Sequence, residues 1–154
     1  MTAPALDASA ASEVVVARQP ILDRNEEIAG YELLFSATTG RPTATHAHDA
    51  TARVLVQSVA DVGLEHVSGG RPAHVKLTRE VLVAVRPLPL PPGRVVIGLD
   101  GNHGADIALL DVLSELRETG FTVALDGFRT GTAWQALSEH ANAVKLDIRD
   151  HAGS

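Results

Sequence analysis

Apolar residues along this chain come in short runs separated by longer segments with helical spacing. Val14–Ala17 is a compact β-branched run that Arg18-Gln19-Pro20 is expected to stop, and Ile28–Phe35 reads as a second strand. Asp23-Arg24-Asn25 supplies hairpin turn residues between them. After a loop-like stretch, Asp49 opens a helical pattern carrying Ala52, Leu55, Val56 and Val59 as far as Gly63. Ala73–Leu77 is a short strand, followed by a helix opening at Thr78. Pro87–Gly93 (PLPLPPG) can be neither helix nor central strand and must be a connection. Val95–Leu99 reads as a buried strand, and Asp106–Thr119 as an amphipathic helix closed by Gly120. Phe121–Asp126, Thr132–His140 and Ala143–Ile148 complete the series as strand, helix and strand.

From Ala73 onward strands and helices alternate, which argues for parallel β/α units. Strand parity sharpens the reading. In FTVALD, Phe121, Val123 and Leu125 share one face, opposite Thr122, Ala124 and Asp126. In AVKLDI, Val144, Leu146 and Ile148 oppose Ala143, Lys145 and Asp147; in AHVKL, Ala73, Val75 and Leu77 oppose His74 and Lys76. Large aliphatics on one face suit an outer layer of helices. Small and polar residues on the other suit the inside of a barrel with charges at its mouth. A doubly wound open sheet is the competitor, but its strands are usually apolar on both faces. The pattern therefore predicts an α/β chain of about six strands forming a TIM-like barrel that opens with a hairpin.

Composition narrows the function. A length of 154 residues predicts one domain, organised as a flexible tail over 1–12 and a folded unit over 13–150. The net charge of −6 argues against sequence-independent nucleic-acid binding and against an anionic membrane surface. Cysteine is absent, which excludes disulfides and thiolate zinc sites. No signal-peptide pattern or membrane-length apolar run is present, so a cytoplasmic location is expected. Of the 13 Lys and Arg residues only Lys76 and Lys145 are lysines, which marks both as positions of interest.

Three motifs carry more information than the composition: RQPILDRNEEIAGYELLF, ALDGFRTG and VKLD. Together, over about Val14 to Arg149, they resemble the EAL domain, the family of cyclic-di-GMP phosphodiesterases, and most nearly the subgroup in which an EAL domain precedes an HDOD domain. The resemblance implies a modified TIM-like β/α barrel with an antiparallel first strand, here incomplete at about six strands, and a mechanism in which two divalent metals activate water against a phosphodiester. It places Glu32 at the Glu of the EAL motif, Asp126 at the first Asp of the DDF motif, Lys145 at the lysine of K-x-D with Asp147 closing it, and Gln19 at a residue approaching the ligand's guanine. Other positions depart from the family. Ser36 stands where the family places an Arg on the substrate phosphate, Lys76 in place of a metal-binding Asn, Gly98 in place of a Glu, and Gly127 in place of the second Asp. Glu32 and Asp126 remain as candidate metal ligands for two ions that need a dozen or so coordination positions. Glu32, Asp126 and Lys145 thus read as a vestigial catalytic set, with Mg²⁺ held weakly at most and no cofactor expected.

These departures lead to a degenerate EAL-like regulatory module that is not an enzyme and acts through protein–protein interaction in cyclic-di-GMP-related signalling. The alternatives are a non-hydrolysing cyclic-di-GMP receptor and a residual metal-dependent phosphodiesterase. The six strands counted, against eight in the family barrel, imply an exposed edge at Ala143–Ile148, to be closed by a homodimer or a protein partner. Parity places Lys76 within salt-bridge range of Glu32 or Asp126, as a one-charge substitute for a cation. Asp100, two residues beyond Gly98 on the same face, is a weaker stand-in for the missing Glu. His46 and His48 read as an ordinary solvated loop, and Trp134 as helix packing.

Overall fold

The computed structural model describes residues 14–37, 63–101, 104–127 and 131–147. Six strands form one curled sheet in chain order: β1 (Val14–Leu22), β2 (Ile28–Ala37), β3 (Ala73–Lys76), β4 (Val95–Asp100), β5 (Thr122–Asp126) and β6 (Ala143–Lys145). β1 runs antiparallel to β2 and every later pair is parallel. Helices α1 (Leu64–Ser68), α2 (Arg79–Ala84), α3 (Ile107–Glu118) and α4 (Thr132–His140) fill the connections. This is the α/β barrel architecture that alternation and parity predict, incomplete as the resemblance implies.

The core lies between the helices and the outer face of the sheet. Val75, Ile97, Leu99, Val123 and Leu125 from the strands pack with Leu82, Leu109, Leu113 and Leu137 from the helices, all essentially closed to water. Helix α3 illustrates the local logic. Asp106 accepts a hydrogen bond from the Leu109 backbone N–H at 3.0 Å and so caps the first turn. Leu109, Val112, Leu113 and Leu116 then fall on one buried stripe. At the other end Gly120 adopts φ +90, and the Phe121 N–H returns to the Leu116 carbonyl at 2.8 Å. Thr78 caps α2 in the same manner, accepting from the Val81 N–H.

Four expectations need correction. β1 does not stop at Arg18-Gln19-Pro20 but continues to Leu22. It is the outermost strand of the described sheet, where a proline's missing N–H is tolerated. The last strand is Ala143–Lys145, because its register against β5 runs out with the pair Asp126 and Lys145. Phe121 precedes β5 rather than starting it, since its N–H closes α3. The short helix α1 was not legible in the pattern, which ended at Gly63. The helix expected from Asp49 to Gly63, His46, His48 and Ile148 lie outside the described residues. No helix among the described residues is long and apolar enough to cross a membrane.

Candidate functional site

Parallel register fixes which side chains share the concave face. Gln19 pairs with Glu32, Glu32 with His74, Lys76 with Gly98, Gly98 with Ala124, Asp100 with Asp126, and Asp126 with Lys145. Partners in register project to one side of a sheet, so all six strands contribute to one mouth at the C-terminal ends of the parallel strands, where a β/α barrel places its chemistry.

Both lysines of the chain end on the same carboxylate. Lys76 Nζ lies 3.0 Å from Asp126 Oδ2, and Lys145 Nζ lies 2.9 Å from Asp126 Oδ1. Lys145 Nζ also lies 3.0 Å from Glu32 Oε2. Asp126, Glu32 and Lys145 are well shielded, their side chains 12%, 17% and 19% exposed, whereas Lys76 is 47% exposed. The approach of Lys145 to Oδ1 is a charge contact that is not aligned as a hydrogen bond. Lys76 thus satisfies its expected ion pair through Asp126, while Glu32 is taken by Lys145.

The two lysines reach Asp126 by different routes. Lys145 is its direct neighbour on β6 and spans the curl to Glu32 on β2. Lys76 stands on β3 and must cross β4, and the position it crosses is Gly98. A Cβ on Gly98 would sit in ordinary contact, 3.5 Å from Lys76 Cα and 3.8 Å from Lys76 Cβ, so a longer side chain there would lie alongside the lysine's stem. Burial works against the Lys76 ammonium, but the hydrogen bond to Asp126 and the charges of Asp126, Asp100 and Glu32 outweigh it, and its pKa rises above the ordinary lysine value.

No family model matches the chain. The cyclic di-GMP phosphodiesterase CdgJ of Vibrio cholerae is 30% identical over 135 residues, covering 86% of this chain and 31% of that protein. The uncharacterized protein YuxH of Bacillus subtilis is 30% identical over 141 residues, covering 88% of this chain and 34% of its own length. The chain therefore spans about a third of the curated relatives it matches. Klebsiella pneumoniae BlrP1, solved in a calcium and cyclic-di-GMP complex, superimposes with a TM-score of 0.67 at 20% identity, over 91% of this chain and 41% of that one. An EAL domain protein from Listeria monocytogenes gives a TM-score of 0.61 at 17% identity, over 97% of this chain and 72% of that one. The fold is that of the EAL domain.

Seen on the EAL fold, the residues singled out by sequence separate into groups. Glu32, Lys76, Asp126 and Lys145 meet at the mouth, with Gly98 beneath Lys76 and Asp100 in register beside Asp126. Gln19 stands on β1 opposite Glu32 and is exposed. Ser36 is a backbone member of β2 opposite Val15. Gly127 follows β5 at φ +80, a conformation that favours glycine. Its N–H donates to the Lys145 carbonyl at 2.7 Å, and its carbonyl accepts from Trp134 Nε1 at 3.3 Å. Trp134, expected only to pack, therefore also holds the turn at the end of β5.

One member of the EAL-type mouth escaped the sequence reading. His74 lies opposite Glu32, its Nδ1 buried with no hydrogen-bond partner among the described residues. Burial, and then the charge of Lys145, lower its pKa against the opposing pull of Glu32 and Asp126. Its ring rests over Gly30, where a Cβ would come within 2.7 Å of the Pro72 carbonyl and 3.1 Å of the imidazole. The signal was the shared parity of His74 and Lys76.

Proposed function

We propose that this chain is a non-hydrolysing EAL-type module that acts through a protein partner in cyclic-di-GMP-related signalling. One observation carries the reading: Glu32 and Asp126, the carboxylates that the resemblance assigns to metal, are both engaged by the chain's own ammonium groups. Two-metal hydrolysis needs ions clamping the attacking and leaving oxygens. At an effective dielectric of about 20, an ammonium about 4 Å from a divalent ion opposes it by roughly 8 kcal/mol, and by less where water reaches Lys76. That repulsion comes on top of the ligand positions held by Lys76, Gly98 and Gly127. A protein-binding role is supported by exposed apolar side chains on the outer face at β6, Val144 and Leu146, 42% and 51% exposed. The occupant of that face is a partner protein or a second copy of the chain.

A second reading, a receptor that binds cyclic-di-GMP without cleaving it, is favoured by similar structures solved with that nucleotide, including Bacillus subtilis YkuI and an EAL protein of Vibrio cholerae. Gln19, beside Glu32 at the mouth, is the residue to contact the base. Calorimetry with cyclic-di-GMP, with and without Mg²⁺, combined with a turnover assay, separates the readings. The proposal expects neither binding heat nor linear dinucleotide. Heat without turnover selects the receptor, and metal-dependent turnover overturns the non-hydrolysing reading.

A further inference from the structure

The donor set at the mouth does not fit a divalent ion. Among the described residues, no group of three or more His, Asp or Glu side chains is placed to hold one. Mg²⁺ and Mn²⁺ need about six oxygen ligands. Here both oxygens of Asp126 and one of Glu32 already face an ammonium at 2.9 to 3.0 Å. Asp100 lends its charge to Lys76 as well.

We infer that the site carries its cation covalently: Lys76, laid across Gly98 onto Asp126 and backed by Lys145, replaces a divalent ion and makes the mouth reject one. The inference deepens the non-hydrolysing reading and rests on the same site, but it concerns the bare ion. The substitution has two halves. The lysine supplies the charge, and the glycine clears its route over β4. A side chain at position 98 would share that route with the lysine stem, and glycine leaves it clear. The charges are also matched: Glu32, Asp100 and Asp126 are offset by Lys76 and Lys145 to within one unit, which leaves little field to draw in a doubly charged ion.

The test uses Mn²⁺ alone, without nucleotide. Its binding is followed by the paramagnetic signal of the free ion and by the melting temperature. The unaltered chain is expected to retain no Mn²⁺ and to melt at the same temperature with or without it. Lys76→Asn removes the charge and offers a carbonyl oxygen. It is expected to bind Mn²⁺ at least about tenfold more tightly, which corresponds to roughly 1.4 kcal/mol of relieved repulsion, and to gain a Mn²⁺-dependent rise in melting temperature. Adding Asp126→Asn should abolish both effects. Lys76→Gln, closer in shape to lysine, repeats the measurement if the Asn variant does not fold. Mn²⁺ binding by the unaltered chain that disappears in Asp126→Asn would overturn the inference, as would neutral variants that bind no better than the parent. Nucleotide turnover in the parent would instead sink the functional reading, so the two failures are distinguishable.

Discussion

Replacing Lys145 with methionine keeps most of the side chain's length and removes its charge, which makes it the sharpest perturbation of the mouth. Among the described residues Lys145 is the one cation joined to both shielded carboxylates, at 2.9 Å to Asp126 and 3.0 Å to Glu32. Removing one partner of a fully buried pair costs about 3–5 kcal/mol, because the other charge is left uncompensated. Exposed pairs are worth about 0–1 kcal/mol. With all three side chains between 12% and 19% exposed, this cluster lies nearer the buried limit. Lys76 still neutralises part of Asp126, so Glu32 carries most of the loss. A destabilisation of about 2–3 kcal/mol follows, a fall in melting temperature on the order of 4–12 °C for a chain of this size. Chemical denaturation measures it directly, and the Glu32→Gln background provides the control. There the same Lys145→Met change should cost less than half as much, since the carboxylate that carries most of the loss is gone. A Lys145→Met protein within about 0.5 kcal/mol of the parent would refute the bridging role.

The same geometry gives three smaller predictions. Lys76→Met should destabilise by only about 1 kcal/mol, because water screens a side chain that is 47% exposed, and urea denaturation beside Lys145→Met should rank the two. Gly30→Ala should cost about 2–4 kcal/mol or prevent folding, since its Cβ would meet the Pro72 carbonyl at 2.7 Å and that backbone has little room to retreat; denaturation or soluble yield reads the effect. His74 has a lowered pKa in the folded chain, so near its ordinary value of about 6.5 the unfolded chain binds a proton that the folded chain does not. Its contribution is therefore complete above that pH and is lost as pH falls towards the folded pKa. Melting curves between about pH 7.5 and 5.5 should slope downward towards acid, and His74→Phe should flatten the slope.

The parts of the fold legible in the sequence are those determined locally. Asp106, the stripe from Leu109 to Leu116, and Gly120 name a helix, its buried face and its end within fifteen residues. Strand parity likewise placed Lys76 and Asp126 on one face before any pairing was known. What stayed hidden depends on neighbours distant in sequence. Pro20 ends a strand or joins one according to whether that strand lies at an edge. His74 reads only as an inward-facing neighbour of Lys76 until the register sets it against Glu32. The link from Lys145 to Glu32 joins strands four places apart in the sheet, and only the curvature brings them within reach.

Gly98 also makes the order of sequence change matter. If a long side chain arrives there while Lys76 is present, the two share one track across β4. If Lys76 is replaced first, Asp126 and Glu32 share a single lysine and the track stands vacant. Two ordinary substitutions, one adding a charge and one subtracting a side chain, are thereby ordered, and return to a metal-holding mouth begins at position 76.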